Sequence, residues 1–362
     1  MSAVLPALAC PSWPQRLRLV TRAVGDAVLP IVLAMVTGAL ILLLFGKNPA
    51  VFYTAVLDRA LFSWMGFQEV LTRMAPLLLT CAGLIFCFRA GVWNLGSDGQ
   101  FLVGAAVASA AAVPLAQTLP LGFALLLTCL VGFAVGVLWS LPPAFLKIRF
   151  GTNEIITTLM MSLLGARLAA YLVKGPFKDL NSTAPQTVTL PIEDRFPWLL
   201  DTKISSALIL AVIVVLLGHL VMTRTAFGLR LRLVGANMRA TVHSGEPVGF
   251  LVVMAFALGG GMAGMAGAVE ITAIAGNLRA DENPGYGLAM LPLVFLARFN
   301  GPATIGLTFI YAVLVVGARS AARRADVPQE FLLVLIALVL IFMGLTEWIR
   351  RARLNRQLAR AD

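Results

Sequence analysis

The stretch Trp93-Asn94-Leu95-Gly96-Ser97-Asp98-Gly99-Gln100 is a polar interruption within one of the most apolar regions of a very apolar chain. The residues before it, 77–88, are mostly Leu, Ile, Ala, Cys and Phe, and those after it, 101–114, are mostly Ala and Val. Polar side chains and irregular backbone are costly in lipid unless they contact other protein or a water-filled cavity. The stretch is therefore the first place to expect a path for a solute.

The composition indicates an all-α, polytopic membrane protein. Hydrophobic residues make up 59% of the 362 residues, charged residues only 12%, and the mean hydropathy is +0.90. A soluble domain is typically about a quarter charged. No linker rich in Pro, Ser or charge divides the chain, so we expect a single bundle of about ten transmembrane helices.

Hydropathy and length place these spans with ends uncertain by a few residues. They are roughly 28–46, 70–89, 97–114, 119–141, 154–173, 204–223, 248–276, 285–299, 302–319 and 330–349. An even number of spans places both termini on the same side of the membrane. Residues 1–27 form an N-terminal segment, and its part 13–27 is predicted as an interfacial helix. Residues 28–349 form the transmembrane domain, and residues 350–362 form a basic tail.

The net charge of +11 reports orientation, and it does not indicate a nucleic-acid partner. Arginines cluster next to the spans, as expected for cytoplasmic flanks. These clusters are Arg16, Arg18 and Arg22; Arg224, Arg230, Arg232 and Arg239; and Arg350, Arg351, Arg353, Arg356 and Arg360. Both termini are therefore predicted to be cytoplasmic. Arg319, Arg323 and Arg324 fall outside in this topology, and a miscount among the last three spans would move them inside.

Several enzymatic and cofactor classes lack support. The sequence contains no Gly-x-x-x-x-Gly-Lys-Ser/Thr for ATP and no His-Glu-x-x-His or Gly-x-Ser-x-Gly. Its four cysteines, which are Cys10, Cys81, Cys87 and Cys129, do not have metal-ligand spacing. We expect no catalytic residue, no metal and no cofactor.

Several further residues have both an ordinary and a functional interpretation. Asn153 and Glu154 open the fifth span, where an N-cap and a dipole-stabilised acid are the ordinary interpretation. With Thr157 and Thr158, they are alternatively candidates to line the same cavity as Asn94–Gln100. Arg167 and Glu270 are ionisable groups inside spans, where a structural ion pair or snorkelling competes with solute contact.

Two other segments have packing or docking potential. The glycine-rich run Gly259–Gly267 and the pair Gly132/Gly136 favour close helix packing, with a flexing point as the alternative. The segment 224–246 has helical periodicity and a basic face. It is predicted to dock on a partner, and an interfacial helix on anionic lipid is the alternative.

The sequence resembles the permease subunits of bacterial ABC importers, in the nucleoside and simple-sugar branch of the ribose and branched-chain amino-acid type. The motifs, in order, are Gly91–Gln100; Thr152–Met160; Lys174–Asp179; Thr225, Gly228, Arg232, Gly235–Asn237 and Gly245; and Gly285–Gly287 with Pro302. They cover about 70–310. Trp93 replaces the usual Phe, and Asp98 the usual Glu.

This resemblance implies roles for particular residues. The candidate solute path comprises Trp93, Asn94, Asp98, Gln100, Asn153, Glu154 and Thr157. The candidate coupling residues are Thr225, Gly228, Arg232, Gly235, Asn237 and Gly245. Because Asn94 and Gln100 each offer a donor and an acceptor, they suit a small neutral, hydroxyl-rich solute.

The resemblance also implies partners. These are a cytoplasmic ABC ATPase, a second permease that is homologous or identical, and an extracytoplasmic substrate-binding protein, all at the bacterial cell (inner) membrane. The solute would be a nucleoside, a purine-like base or a simple sugar. A secondary transporter or channel working alone is the alternative, and it would need coupling carboxylates near the midplane, of which Asp98, Glu154 and Glu270 are the deep ones. A membrane-embedded enzyme has no positive support.

Overall fold

The computed structural model describes residues 13–200, 202–328 and 331–358. Within these residues the regular structure is helical, and extended segments form only isolated antiparallel bridges such as Lys178 with Thr187. The α-helices are α1 (Trp13–Leu44), α2 (Pro49–Leu57), α3 (Trp64–Arg89), α4 (Ser97–Thr118), α5 (Leu121–Phe150), α6 (Glu154–Lys174), α7 (Ala207–Arg224), α8 (Ala226–Ala236), α9 (Met238–His243), α10 (Val248–Glu270), α11 (Tyr286–Leu296), α12 (Gly301–Ala325) and α13 (Phe331–Leu358).

Seven helical segments within the described residues are long and apolar enough to cross a membrane. They are Trp64–Arg89, Ser97–Thr118, Leu121–Phe150, Glu154–Lys174, Ala207–Arg224, Val248–Ala275 and Gly301–Ala318. Each coincides with a predicted span. The other three predicted spans coincide with shorter apolar helical stretches, Val28–Leu44, Tyr286–Leu296 and Leu333–Thr346. The helical membrane fold is therefore confirmed, and a count of ten remains a prediction.

The chain divides into two compact units. One contains Met1–Pro49 and Ala325–Asp362, and its described helices α1 and α13 pack against each other. In this unit Lys47 Nζ lies 2.5 Å from an Asp326 carboxylate oxygen, and this ammonium group holds the pKa of Asp326 below its usual value. Residues 13–27, predicted as a separate interfacial helix, continue into α1 without a break. Residues 1–12 and 359–362, which belong to the predicted terminal segments, lie outside the described residues.

The second unit, Ala50–Arg324, is organised around α10, which packs most extensively on α5, α4 and α3. Glycine makes this packing possible, because a Cβ on Gly104 would lie 2.5 Å from the Cα of Gly264. A Cβ on Gly136 would overlap the carbonyl oxygen of Gly260. The prediction of close packing by these small residues is therefore confirmed, as expected where lipid supplies no hydrophobic drive between helices.

Candidate functional site

The polar stretch begins at a tight turn that ends α3. Gly91 has a φ of +71°, a conformation that glycine adopts without steric cost. The turn is closed by a 3.0 Å hydrogen bond from the backbone N–H of Val92 to the carbonyl oxygen of Cys87. The irregular chain ends at Gly96, because α4 begins at Ser97, where the span was predicted to begin, and takes Asp98 and Gln100 into its first turn.

Asn94 and Gln100 bind each other across this turn. Asn94 Nδ2 donates to Gln100 Oε1 at 3.0 Å, and Gln100 Nε2 donates to Asn94 Oδ1 at 3.1 Å. The same Asn94 oxygen accepts the backbone N–H of Gly96 at 3.1 Å. Both side chains are fully buried. Their amides are thus satisfied within the protein, as buried polar groups generally are.

Asp98 contacts a distant helix. Its carboxylate accepts the backbone N–H of Gly287 at 2.6 Å and also that of Leu288. These N–H groups belong to the first turn of α11, where a helix leaves its donors unsatisfied and favours negative charge. Asp98 therefore caps α11. This role arises only when folding brings the two distant segments together.

Trp93 has a different environment. Its indole is 40% exposed and packs on Phe88 and Phe295, with ring centroids 5.3 and 5.5 Å away. Phe299 completes this aromatic cluster, and the Arg89 guanidinium lies 5.6 Å from its ring centre. Trp93 is therefore the most accessible of the four candidates in this stretch.

The start of α6 largely follows the ordinary interpretation. Asn153 Oδ1 caps the helix by accepting the backbone N–H of Ile155 at 3.0 Å, and Glu154 pairs with Lys147 Nζ at 2.6 Å. The Thr157 hydroxyl donates to backbone carbonyls of the preceding turn. The neighbouring Thr158 joins α6 to the polar stretch, because its hydroxyl accepts the backbone N–H of Leu95 at 3.2 Å.

The segment 224–246 forms two helices with a break at Asn237. Thr225 caps α8 by accepting the N–H of Gly228 at 3.2 Å, and Asn237 caps α9 by accepting the N–H of Ala240 at 3.1 Å. Arg232 Nε donates to the Gly228 carbonyl at 3.4 Å. Gly245 has a φ of +78° in open space, where it turns the chain toward α10.

Helix α8 packs directly on the turn that precedes the polar stretch. A Cβ on Gly91 would lie 3.0 Å from the Cα of Gly235, and a Cβ on Gly235 would overlap the carbonyl oxygen of Arg89. Leu231 and Val234 of α8 are buried in the same hydrophobic cluster as Val92. The structure therefore brings the predicted coupling segment into contact with the turn that leads into the predicted path.

The ionisable groups inside spans each have a charged neighbour. Glu270 and the Tyr286 hydroxyl both interact with the Arg73 guanidinium, which also pairs with Glu69 at 3.2 Å. Arg167 lies 3.9 Å from Asp281, and its side chain is 84% exposed. Asn94, Asp98 and Gln100 thus lie together with Thr158, whereas Arg167 and Glu270 lie elsewhere.

Sequence reasoning assigned no site role to Arg89 or Gly287. Arg89 Nη2 donates to the carbonyl oxygens of Arg298 at 3.4 Å and Phe299 at 3.3 Å, and it thereby holds the turn that follows α11. Its place as the last residue of an apolar span was a usable signal, but its partners are about 210 residues further along the chain. Among the described residues, no group of three or more His, Cys, Asp or Glu could hold a metal ion.

Residues 66–344 match the family described as the branched-chain amino acid transport system / permease component, and the chain belongs to that family. It is 30% identical over 350 residues to the glucose ABC transporter permease protein TsgB13 of Haloferax volcanii, covering 92% of this chain and 90% of that protein. It is 28% identical over 336 residues to the guanosine ABC transporter permease protein NupP of Bacillus subtilis (88% and 92%).

A third relative is the nucleoside ABC transporter permease protein NupB of Lactococcus lactis, 26% identical over 342 residues, which are 90% of this chain and 91% of that protein. No solved structure matches the chain significantly. The chain is therefore a multi-pass membrane permease of the ABC type, and membership of this family implies an ATPase and a substrate-binding protein as partners.

Proposed function

We propose that this chain is one of two permease subunits of an importer in a bacterial cell (inner) membrane, with both termini in the cytoplasm. Its solute is a nucleoside, a purine-like base or a simple sugar. The names of the relatives, which specify glucose, guanosine and nucleosides, support this solute class. The second permease is homologous or identical, and the energy comes from ATP hydrolysis by a separate subunit, so the chain itself is not an enzyme.

The observation that carries this proposal is the backbone contact between Gly235 and the turn Arg89–Gly91. Close-packed elements transmit displacement because they have no compressible side chain between them. A movement of α8, imposed by an ATPase, would displace the turn and with it Asn94 and Gln100. Arg89, at the start of the same turn, also donates hydrogen bonds to the chain that follows α11.

The surface of α8 and α9 supports docking of a protein. Exposed apolar side chains lie beside exposed arginines on these helices, and this combination suits a protein interface whose core is apolar. The apolar ones are Leu229, Leu233, Met238 and Val242, and the arginines include Arg230 and Arg239. Binding to anionic lipid is the alternative, and the experiment below separates the two.

The candidate path residues support alternating access. In this structure Asn94 and Gln100 satisfy each other, so they would meet a solute only after their mutual hydrogen bonds open. Trp93 is already half-exposed and offers an aromatic face to a base or sugar ring. The other candidates would hold the walls of the path through helix caps and an ion pair. They are Asp98, Asn153, Glu154 and Thr157.

The engagement of the deep acids argues against a transporter that works alone. Ion coupling requires carboxylates that can bind and release an ion near the midplane. Asp98 is bound to the N-terminus of α11, Glu154 to Lys147, and Glu270 interacts with Arg73. All three acids therefore have structural partners in this state.

The test is co-purification of the tagged chain with the ATPase expressed from the same strain. Wild type should retain the ATPase, and Leu233→Glu should lose it while its amount in the membrane is unchanged. The matched control is Leu200→Glu, because Leu200 is exposed in a loop of the predicted outer side. Retention by Leu233→Glu, or substrate-coupled proton uptake without an ATPase, would contradict the proposal.

A further inference from the structure

A polar cavity lies on the exposed face of α6, away from the Asn94–Gln100 pair. Its volume is about 160 Å³, and α4, α6 and the irregular segment after α10 form its walls. A cavity of about 150 Å³ is known to admit a single six-membered ring. Its polar residues are Arg167, Arg279, Asp281, Glu282 and Asn283.

Arg167 lies within α6, one of the helices long and apolar enough to cross a membrane. It is roughly two helical turns, or about 10 Å, before the end of α6 at Lys174. Its side chain is nevertheless 84% exposed, and its nearest carboxylate, that of Asp281, is 3.9 Å away. An intramembrane arginine normally faces the bundle interior or a water-filled cavity. Water or a protein partner must therefore cover this face of α6.

The irregular segment 276–285 runs along the same face of α6, from the outer end of that helix toward its inner part. At its outer end, the backbone N–H of Leu278 donates to Thr187 Oγ1 at 2.9 Å, within the segment that follows α6. At its inner end, Gly287 reaches Asp98. The adjacent Gly99 donates its N–H to Ser162 Oγ of α6 at 3.1 Å, and Ser162 lies more than one turn deeper than Arg167.

Non-helical backbone at this depth is tolerated only where it is buried in protein or lines a water-filled cavity. Asp281, Glu282 and Asn283 of the segment are exposed, so they are not buried within this chain. Apolar side chains continue the exposed face along α6 as a stripe of Ile156, Met160, Leu163 and Tyr171. The stripe and the segment are thus both exposed on the second unit.

We propose that this cavity is a solute-binding site on the outward part of the translocation path, and that it holds the sugar ring common to nucleosides and hexoses. The second permease subunit supplies the opposite wall. This inference rests on the proposed function and names the part of the solute that is recognised.

The chemistry of the cavity fits a neutral ring with hydroxyl groups. The carboxylates of Asp281 and Glu282 accept hydrogen bonds from hydroxyls, whereas Arg167 and Arg279 donate them. Two positive and two negative side chains line the cavity, and the further positive charge of Lys174 at its rim is paired with Asp281. Leu102, Leu163 and Leu278 line it as well and would contact the C–H face of a ring.

The rim of the cavity is held in place. Lys174 Nζ lies 2.5 Å from an Asp281 carboxylate oxygen, and Asp281 itself has a φ of +64°. Aspartate tolerates this left-handed conformation better than most residues. The site is therefore pre-formed before a solute arrives, which lowers the entropic cost of binding.

The test is thiol labelling in reconstituted vesicles that contain the complete transporter, in a background without the native cysteines. Arg167→Cys and, separately, Asn283→Cys are exposed to a membrane-impermeant methanethiosulfonate added on both sides. The matched control is Leu217→Cys, because Leu217 is 55% exposed within the transmembrane helix α7. Labelling at both test positions should be at least about tenfold faster than at the control, since the thiolate forms only in water.

Glucose and guanosine should each slow the labelling of Asn283→Cys severalfold, and leucine should not. Equal rates at positions 167 and 217 would overturn the inference, because the face would then lie against lipid or protein. Fast labelling of Asn283→Cys that neither glucose nor guanosine slows would overturn the assignment of the sugar ring. Uptake by the wild-type vesicles is measured separately, so a failure of the proposed function is recognised on its own.

Discussion

The Asp98 carboxylate accepts the backbone N–H of Gly287 at 2.6 Å and so joins two helices that are 189 residues apart in sequence. Gly287 belongs to the first turn of α11, an 11-residue helix. Arg89 holds the turn at the other end of α11 through the carbonyls of Arg298 and Phe299. Because Asp98 lies within the polar stretch and Arg89 lies shortly before it, residues at or near the candidate path hold both ends of α11.

We expect Asp98→Ala to destabilise the permease by about 2 kcal/mol, because two buried N–H groups of α11 lose a charged acceptor. Asp98→Asn keeps an oxygen acceptor without the charge, so its effect should be about half as large. Thermal unfolding of the purified permease in detergent measures both. Asp179→Asn is the matched control, since Asp179 accepts a hydrogen bond only in an outer loop turn. Equal stability of Asp98→Ala and wild type would show that the cap is unimportant.

We expect Gly235→Ala to uncouple ATP hydrolysis from uptake, and Gly235→Trp to do so more completely. An added Cβ overlaps the Arg89 carbonyl oxygen and lies 2.9 Å from the Gly91 nitrogen, so α8 must shift away from the turn. Overpacking of this kind costs about 1–3 kcal/mol. The ratio of solute transported to ATP hydrolysed should fall severalfold while the complex still assembles.

The matched control for this prediction is Gly122→Ala. Gly122 is also helical, but a Cβ added there meets nothing within 4 Å. Its transport ratio should equal that of wild type. A normal ratio for Gly235→Trp would show that the contact between α8 and the turn does not transmit the movement.

The spans could be predicted from sequence because their signal is local. A run of apolar residues long enough for the hydrocarbon core is visible without knowledge of any partner. The short helix α2 and the π-helical turn Asp58–Phe62 that follows it were missed, since this stretch is too short and too mixed to register as a span. The break at Asn237, which divides the predicted coupling segment into α8 and α9, was missed because a helix with a good cap at each end differs little in periodicity from a single helix.

The candidate site could be predicted only in its composition. The polar stretch identified Asn94, Asp98 and Gln100 as unusual, but not that two of them bind each other and the third caps α11. These outcomes depend on contacts that bring distant segments together, and a sequence pattern does not contain them. Arg167 was visible as an arginine inside a span, whereas its exposure depends on how α6 packs on α4.

We expect both termini to be cytoplasmic, as the arginine flanks predict. A cysteine introduced as Ser2→Cys or Ala359→Cys, in a background without native cysteines, should resist membrane-impermeant thiol reagents in intact cells. Both should react after the cells are permeabilised. Labelling of only one terminus in intact cells would require an odd number of spans, and the region 302–349 would then be the first to be reassigned.

The last prediction separates a structural role of the Asn94–Gln100 pair from a role in solute contact. Asn94→Ala or Gln100→Ala leaves the other amide buried without its partner, which costs about 1–3 kcal/mol of stability. The double variant Asn94→Leu with Gln100→Leu removes both polar groups and keeps similar volume. Its stability should therefore recover most of the loss, and the two substitutions should be strongly non-additive.

Uptake then distinguishes the two roles, because stability and transport are measured on the same variants. If the amides contact the solute after the pair opens, the double variant transports at least about tenfold less than wild type even though it is stable, which corresponds to roughly 1.4 kcal/mol of lost interaction. Assembly with the ATPase and basal ATP hydrolysis should stay unchanged. Normal uptake by the stable double variant would show that the pair only closes the turn at the end of α3, and that the solute passes along the exposed face of α6 instead.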